Sequence, residues 1–428
     1  MTANEMTVTD SPPLSRGLIL VLAVTCGAAV GNLYFPQALT PLVAAGLHVP
    51  PGAATLVVTA VQAGYTAGMF LVVPLGDRFR HRPLVVTLLV LTSLALAGAS
   101  VAPALPALVG ASALVGLTTV AAQVIAPMTA GLVPAERRGA AFGTLMSGSL
   151  GGMLLSRAFG GVLGQWLGWR APYLLAAAVI GVIAVILARA LPATAAPPRR
   201  RYPALLAESA RLLRTEPELR RSAFYQATVF GAFSAVWTGV GLLLTGPAYG
   251  LGASAVGVLA LVNAGTMVCT PVSGRLIDRH GPDRVNLVTM AATMAAVAIL
   301  LLGGRGGAAG LAALVAGTLL LDVAMQSGMI ANQVRIFALR PGARSMLNSA
   351  YMTCAYAGGA AGSWLGAAGY GRAGWPGVCA AAAALTGLAL GRHLLRRRRP
   401  AVPGVPAAQF ALRPVSVQDG SATGSGGR

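Results

Sequence analysis

The sequence predicts an all-α membrane protein with twelve transmembrane helices in two six-helix halves. Three observations lead to this prediction: the composition is very apolar, apolar runs of membrane-spanning length recur, and two short basic loops repeat after such runs. Of the 428 residues, 56% are hydrophobic and only 10% are charged, and the mean hydropathy is +0.72. A water-soluble protein needs far more polar surface than this. The chain is therefore expected to cross a membrane many times.

Apolar stretches of suitable length occur regularly along the chain. A helix needs about 20 residues to cross the roughly 30 Å of hydrocarbon in a bilayer. We place twelve spans at residues 17–39, 53–75, 84–101, 106–132, 140–163, 172–191, 222–244, 253–276, 285–302, 308–337, 346–368 and 375–395. The chain then divides into an N-terminal tail (1–16), a first six-helix half (17–192), a linker (193–219), a second six-helix half (220–395) and a disordered basic tail (396–428).

The linker and the C-terminal tail have the composition of surface segments. In the linker, Leu205, Leu206, Leu212 and Leu213 lie on one side of a short amphipathic stretch, which is typical of a segment on the membrane surface. The tail begins with four consecutive arginines and is then rich in Pro, Gly and Ser. This predicts disorder behind a cationic anchor, and we expect anionic lipids at the cytoplasmic face as partners.

The placement of arginine predicts the orientation. All 31 basic residues are arginines, and short basic loops stay in the cytoplasm. With the N-terminus inside, only Arg170, Arg305 and Arg372 fall in external loops. Internal loops then contain Arg78, Arg80, Arg82, Arg137, Arg138, Arg199 to Arg201, Arg279, Arg284, Arg340, Arg344 and Arg396 to Arg399. We therefore expect a multi-pass protein of the cell inner (plasma) membrane with both termini in the cytoplasm.

The composition also argues against several function classes. The chain has no lysine and so lacks the GxxxxGK[ST] phosphate loop of a self-contained ATP-driven pump. Its four cysteines form no CxxC pair, so we expect no metal site and no cofactor. The net charge of +20 comes from arginines between apolar stretches, so no nucleic-acid partner is expected. With 11 acidic residues in total, a membrane-embedded enzyme is a less favoured alternative.

Two repeated motifs indicate duplication. VPLGDRFRHR (73–82) and SGRLIDRHGPDR (273–284) share an Asp-Arg pair directly after an apolar run. GGVLGQWLG (160–168) and GGAAGSWLG (358–366) match at nearly the same offset. Because an even number of spans restores the chain direction, the halves would be parallel repeats. Duplicated halves in a membrane usually have a substrate path between them.

This arrangement resembles the major facilitator superfamily, whose members have the motif G-x-x-x-D-R-x-G-x-x-R after the second span of each half. The second loop matches the motif at Gly274, Asp278, Arg279, Gly281 and Arg284. The first loop keeps Asp77 and Arg78 but has Val73, Arg80 and Pro83 at the positions of the two glycines and the last arginine. NLYFPQ (32–37) and the stretch 321–339 are also similar to bacterial drug and sugar efflux members.

The resemblance implies that the two loops latch the cytoplasmic side shut. Asp77 would lie against the start of span eleven and Asp278 against the start of span five. The positive end of a helix attracts a carboxylate by about 0.3–1 kcal/mol at an exposed site. The candidate latch residues are Asp77, Arg78, Gly274, Asp278, Arg279, Gly281 and Arg284. The alternative is that both aspartates only pair with adjacent arginines and determine the topology.

Two ionisable residues, Arg157 and Asp322, fall well inside predicted spans. Burying either costs about 2.5–3.5 kcal/mol even on the lenient insertion scale, so each should face a cavity or a partner. Asp322 shares a helix face with Gln326, Met329 and Gln333, a polar stripe suited to a water-filled path. Desolvation favours a neutral carboxyl group, which would let Asp322 bind and release a proton. Alternatively, Asp322 is neutralised by a neighbouring arginine or amide and joins two helices.

Three roles are open for Arg157: it could bind an anionic substrate group, pair with Asp322 across the two halves, or extend to the outer interface. The resemblance also places spans one, two, four, seven, eight and ten around a central cavity. Polar and aromatic candidates on these spans are Asn32, Tyr34, Gln37, Gln62, Gln123, Gln226, Trp237 and Asn263. Each of them could equally make an interhelical hydrogen bond.

The resemblance implies a secondary active transporter that works by alternating access. We expect it to export a small organic molecule (drug, sugar or metabolite) in exchange for protons, and to be a monomer. Uptake or facilitated diffusion on the same fold is the alternative. The antiporter motif expected in span five is incomplete, because GSLGGMLLSRAFGG (148–161) has the glycines without the proline.

Overall fold

The computed structural model describes residues 15–134, 137–192, 201–263, 265–266, 269–340 and 344–397, and within these ranges the chain is helical and has no strand. Eight described helices are long and apolar enough to cross a membrane, or up to nine if one bent pair counts as a single span. The prediction of an all-α membrane protein is confirmed. The count of twelve spans stays a prediction. The tail residues 1–14 and 398–428, and residues 193–200 of the linker, lie outside the described residues.

The first half comprises nine helices: α1 (Arg16–Gly31), α2 (Phe35–Gly46), α3 (Pro51–Ala54), α4 (Leu56–Leu71), α5 (His81–Ser100), α6 (Leu105–Thr118), α7 (Ala121–Leu132), α8 (Arg138–Leu167) and α9 (Arg170–Ala190). Helices α1 and α2 form the bent pair, with an angle of 41° between them. Pro36 lies in the first turn of α2, where its missing N–H breaks no helical hydrogen bond. Residues 105–129 of α6 and α7 together form one span.

The linker and second half comprise six helices: α10 (Tyr202–Thr215), α11 (Pro217–Thr245), α12 (Ser254–Asn263), α13 (Cys269–Leu302), α14 (Gly307–Leu339) and α15 (Arg344–Arg397). Helix α13 is broken at Gly281, whose φ of 76° lies in the left-handed region that favours glycine. Helix α15 is broken at Ala373 and Gly374, and Gly369 packs closely against Gly377 across this break. Each of these helices thus has two segments, which is consistent with twelve crossings.

The same kinds of helix pair pack together in each half. In the first half, α1 packs on α8, α4 on α6, and α5 on α9. In the second half, α11 packs on α15, and α13 packs on α14 and α15. The halves meet where α4 packs on α15, where α8 packs on α12, and where α2 reaches α11. Equivalent packing in the two halves is what a parallel duplication predicts.

Glycines bring the backbones of paired helices into direct contact. Gly358 and Gly362 of α15 touch the backbone carbonyls of Ala227 and Gly231 on α11, so that neither position has room for a β-carbon. Small residues permit such close approach between membrane helices, and the contact contributes van der Waals attraction. The glycines of the repeated motif at 358–366 therefore bring α11 and α15 together.

The contacts align the two halves differently from the repeated GG motifs. A β-carbon on Gly160 would lie 2.8 Å from the carbonyl of Phe35, and one on Gly366 would lie 2.7 Å from that of Ala235. The separation of Phe35 and Ala235 along the chain is about the same as that of the two Asp-Arg loops. Gly160 therefore corresponds in packing to Gly366, whereas the motif match aligns it with Gly358. A shifted match is possible because backbone contact recurs every four residues along these helices.

Helix α10 packs its apolar side against the protein. Leu212 is buried in a cluster with Leu219 of α11, Ile336 of α14 and Leu347 of α15. The Tyr202 hydroxyl donates to the carbonyl of Leu71, 2.6 Å away, which ties α10 to the end of α4. The amphipathic stretch of the linker is therefore a helix as predicted, but its apolar side faces the bundle rather than lipid. We call this end of the bundle the linker face.

We predict that Gly362→Ala lowers the thermal unfolding temperature of the purified protein. The added methyl group would clash with the Gly231 carbonyl, and overpacking of this kind costs about 1–3 kcal/mol. The matched control is Gly391→Ala, where a β-carbon meets nothing within 4 Å. There the substitution should leave stability unchanged or raise it, since alanine is the better helix former. Equal effects at the two positions would contradict the close approach of α11 and α15.

Candidate functional site

The two ionisable residues predicted inside spans are fully buried where the halves meet. Arg157 on α8 and Asp322 on α14 each have 0% of their surface exposed. Arg157 therefore does not extend to the outer interface, which removes one of its three possible roles. A buried charge needs a partner or a hydrogen-bonding environment to offset the loss of water.

The Arg157 guanidinium is held by an amide and by aromatic rings. Its Nε donates to Oε1 of Gln37 on α2, 2.8 Å away. The centre of the guanidinium lies 4.1 Å from the ring centroid of Trp237 and 4.8 Å from that of Tyr34. Phe233 is 5.7 Å away. Such contacts between a cation and aromatic faces contribute about 2 kcal/mol each when desolvated, so they replace part of the lost hydration.

Asp322 is joined to Arg157 through Trp237 rather than directly. The indole Nε1 of Trp237 on α11 donates to Oδ1 of Asp322, 3.1 Å away. No ion pair between Arg157 and Asp322 occurs among the described residues. The ring of Trp237 thus contacts the cation of the first half with its face and the carboxylate of the second half with its edge. We call Gln37, Arg157, Trp237 and Asp322, together with Tyr34, the central cluster.

Several polar atoms of the central cluster have no hydrogen-bond partner among the described residues. They are Nη1 and Nη2 of Arg157, Oδ2 of Asp322 and Nε2 of Gln37. A buried polar group without a partner costs about 1–3 kcal/mol, and more when it is charged. Most buried polar atoms in proteins are satisfied, so a group of unsatisfied ones in one place indicates a site that binds something.

A run of aromatic rings extends from the central cluster towards α4. Phe233 lies 6.3 Å from Trp237 and 5.6 Å from Phe230. Phe230 lies 5.1 Å from Tyr356 on α15, and Tyr356 lies 4.4 Å from Tyr65 on α4. The Tyr65 hydroxyl accepts from the Gln123 amide of α7 at 3.2 Å. Aromatic and amide groups from both halves thus lie along one path.

The other predicted pathway residues fall into two groups. Some join helices by hydrogen bonds: Asn32 donates to Thr119 at 3.2 Å, Gln62 accepts from Ser363 at 3.4 Å, and Gln333 donates to Asn348 at 3.4 Å. Gln226 contacts the Met325 sulfur at 3.8 Å, and the buried Gln326 has an unpartnered Nε2. Of the stripe on α14, only Asp322 belongs to the central cluster.

The two Asp-Arg loops differ in their surroundings. Asp77 lines a cavity of about 200 Å³ at the linker face together with Gln123, Leu205, Met346 and Ser349. The loop thus lies beside the start of α15, where the resemblance places its partner. Asp278 is exposed and makes no hydrogen bond or ion pair in the described parts of the chain, so its latch contact with α8 is not formed here.

The remaining latch candidates are mostly exposed. Arg78, Arg279 and Arg284 have exposed side chains, and a β-carbon on Gly274 would meet nothing within 4 Å. Gly281 supplies the left-handed break in α13. Within the described ranges, no group of three or more His, Cys, Asp or Glu side chains could hold a metal ion.

A charged cluster at the linker face was missed at the sequence level. Asp283 pairs with Arg221 of α11 and, at 2.5 Å, with Arg335 of α14. Glu218 pairs with Arg221 at 3.3 Å and with Arg396 of α15 at 2.6 Å. Both Arg221 and Arg335 are only 8% exposed. The available signal was one acidic residue, Asp283, among many arginines. Because these residues lie near the ends of predicted spans, they resembled residues that only determine the topology.

We predict that Trp237→Phe lowers the thermal unfolding temperature of the protein, because it leaves Oδ1 of Asp322 without its donor at a cost of about 1–3 kcal/mol. Trp364→Phe is the control, since that side chain is exposed. Adding Asp322→Asn to the Trp237→Phe variant should change stability less than it does in the intact protein, because the two groups interact. Additive effects would contradict the hydrogen bond.

We predict that Asp283→Asn destabilises the protein, because it removes one of the two carboxylates that pair with the nearly buried Arg221 and Arg335 and leaves Glu218 as their shared counter-charge. Arg396→Gln is the control, since its pair with Glu218 is solvent-exposed and such pairs contribute little. Thermal unfolding of both variants measures the difference. A larger loss in Arg396→Gln than in Asp283→Asn would contradict this account.

Comparisons with known proteins agree with the fold. Residues 20–313 and 246–419 match the family model of the Major Facilitator Superfamily. Transporter YgaY of Escherichia coli O157:H7 is 32% identical over 375 residues, which cover 87% of this chain and 93% of the relative. A chloramphenicol resistance protein of Streptomyces lividans is 31% identical over 273 residues, covering 61% of this chain and 67% of the relative.

A solved structure shows the same fold at low sequence identity. The nucleoside transporter NupG superimposes with a TM-score of 0.72 at 12% identity, over 88% of this chain and 98% of that one. The family match extends over both halves, and the relative from Escherichia coli is similar over nearly its whole length. The chain belongs to the Major Facilitator Superfamily of membrane transporters.

Proposed function

We propose that the protein is a secondary active transporter that exports a small organic molecule in exchange for protons by alternating access. One observation supports this above all others. In the central cluster, one indole ring contacts a buried cation of the first half with its face and a buried carboxylate of the second half with its N–H edge. Charges at this depth are costly to bury, and they are usually found where a membrane protein moves ions or substrates.

In this mechanism Asp322 binds the proton. When the carboxylate is ionised, it accepts the indole N–H within the second half and attracts the Arg157 cation of the first half, and this attraction helps to hold the two halves together at the centre. Protonation removes the negative charge, so the attraction across the interface weakens and the halves can rock. A ligand that needs the ionised carboxylate would then compete with the proton for the same side chain.

The contacts between the halves at the two ends of the bundle fit an occluded state. Away from the linker face, a β-carbon on Gly161 of α8 would lie 2.6 Å from the Ala253 carbonyl. Nearby, Gln165 accepts from the backbone N–H of Ser254 at 2.8 Å. At the linker face, the Ser349 hydroxyl of α15 donates to the Met69 carbonyl of α4 at 3.3 Å. Transport requires that these contacts open in turn.

We place the linker face in the cytoplasm of the cell and the protein in the plasma membrane. The arginines of α10 and the paired Arg221, Arg335 and Arg396 lie at this face, and positively charged segments are retained in the cytoplasm. Export of a drug is supported by similarity to the chloramphenicol resistance protein, which is partial. Uptake on the same fold is the second candidate, because rocking of two halves about a shared site does not itself fix the direction of transport.

The decisive experiment is transport in proteoliposomes with an imposed pH gradient. The intact protein should move substrate against its concentration gradient when protons flow the opposite way, tested over a panel of lipophilic drugs and sugars. Asp322→Asn should lose this gradient-driven accumulation by at least about tenfold, while still permitting exchange of substrate for substrate. Gradient-independent transport by both proteins would exclude proton exchange but leave the carrier function in place.

Arg170→Gln is a matched control for substitutions in the central cluster. Arg170 also stacks on a tryptophan, with its guanidinium 4.3 Å from the Trp169 ring, but it lies outside the central cluster. Its variant should keep proton-driven transport. A loss as large as that of Asp322→Asn would indicate that general destabilisation, rather than proton binding, explains the defect.

A further inference from the structure

The unpartnered atoms of the central cluster define the chemistry of a ligand that would satisfy them. This inference rests on the proposed function and concerns the substrate of the same site. Two donors of Arg157 and one of Gln37 lack an acceptor, and one oxygen of Asp322 lacks a donor. The guanidinium fork matches a two-oxygen anion such as a carboxylate, and a carboxylate oxygen matches an ammonium group.

The charges in the site distinguish between classes of ligand. Arg157 and Asp322 are both fully buried and do not form an ion pair with each other. An organic anion would satisfy the guanidinium but leave the carboxylate unpaired, and an organic cation would do the reverse. A neutral molecule would give neither group a charged hydrogen-bond partner. A zwitterion pairs both at once, and it also keeps the site electrically neutral.

The aromatic rings beside the two charges favour one shape of ligand. The Arg157 guanidinium already lies against the rings of Trp237 and Tyr34, and Phe233 continues the aromatic wall. Trp237 contacts the cation with its ring and donates its N–H to the carboxylate. An aromatic ligand with a hydrogen-bond donor could make the same two kinds of contact. Flat rings therefore fit here better than branched aliphatic groups.

We propose that the central cluster binds zwitterionic aromatic compounds, with the ligand carboxylate on Arg157 and Gln37 and the ligand ammonium on Asp322. The ammonium group and the transported proton then compete for one carboxylate. Binding of the zwitterion requires ionised Asp322 and expels the proton, and protonation expels the zwitterion. Such mutual exclusion at a single side chain is the coupling that an exchanger needs.

The test compares three probes with one aromatic ring and different charges. They are L-phenylalanine, 2-phenylethylamine, which lacks the carboxylate, and 3-phenylpropionate, which lacks the ammonium group. Binding to the purified full-length protein is measured by calorimetry at neutral pH. L-phenylalanine should bind at least about tenfold more tightly than either analogue, since each analogue forgoes a charged hydrogen-bonded contact.

Two variants should each remove the preference for L-phenylalanine over one of the two analogues. In Arg157→Gln, L-phenylalanine and 2-phenylethylamine should bind equally, and in Asp322→Asn, L-phenylalanine and 3-phenylpropionate should bind equally. Arg170→Gln should keep the preference of the intact protein. Should either cluster variant fail to fold, the order of the three probes on the intact protein decides the question alone.

An affinity for L-phenylalanine no higher than that for the better analogue overturns the proposal, and so does the absence of binding by all three probes at millimolar concentration. Neither result would contradict the proposed function. Proton-driven export of lipophilic drugs that depends on Asp322 would stand, with a substrate of a different charge class. Loss of proton coupling together with an intact preference for L-phenylalanine would instead remove proton exchange and keep the zwitterion site.

Discussion

The structure depends at its centre on two opposite buried charges that are kept apart by one aromatic ring. A direct ion pair between Arg157 and Asp322 would strongly oppose the separation of the two halves, because Coulomb attraction is large where water is excluded. The indole of Trp237 replaces that pair with a cation–π contact of 4.1 Å on one side and a hydrogen bond of 3.1 Å on the other. Each contact contributes only about 1–3 kcal/mol, which a proton or a ligand can offset. The halves are therefore held together without being locked.

Glycine contacts give each half the rigidity that this arrangement needs. On the α11–α15 pair, Gly358 and Gly362 press on the backbone of α11, and on the α1–α8 pair, Gly152 presses on that of Gly27. Backbones at this separation cannot shift sideways without a clash, so each pair moves as one body. Between the halves, at α8 and α12, a β-carbon on Gly161 or Gly257 would lie 2.6 or 2.8 Å from the facing backbone, compared with 2.0 Å at Gly358 and Gly362. A small change at the central cluster is thus more easily accommodated between the halves than within them.

The sequence predicted the class of fold well and the site in part. Apolar runs and arginine placement depend on local composition, so the all-α membrane fold and the burial of Arg157 and Asp322 inside it followed directly. The link through Trp237 could not be foreseen, because residues 157, 237 and 322 come together only through tertiary packing. The stripe on α14 was too broad for the same reason: Gln333 shares the face of Asp322 but packs against Asn348 of α15. Asp283 was overlooked because its two arginines lie 62 and 52 residues away along the chain.

The charged cluster at the linker face joins several helices of the second half. Asp283 corresponds by loop offset to Arg82, which donates to the backbone carbonyl of Ala188 instead of joining acidic groups. In the second half, Asp283 and Glu218 tie together the ends of α11, α14 and α15 with the start of the second segment of α13. Helices α11 and α14 also supply Trp237 and Asp322. A change of charge at Asp322 therefore acts on helices whose linker-face ends are joined by ion pairs. These ends would have to move together. Rocking of the second half against α4 and α8 would therefore carry the linked ends of α11, α14 and α15 together.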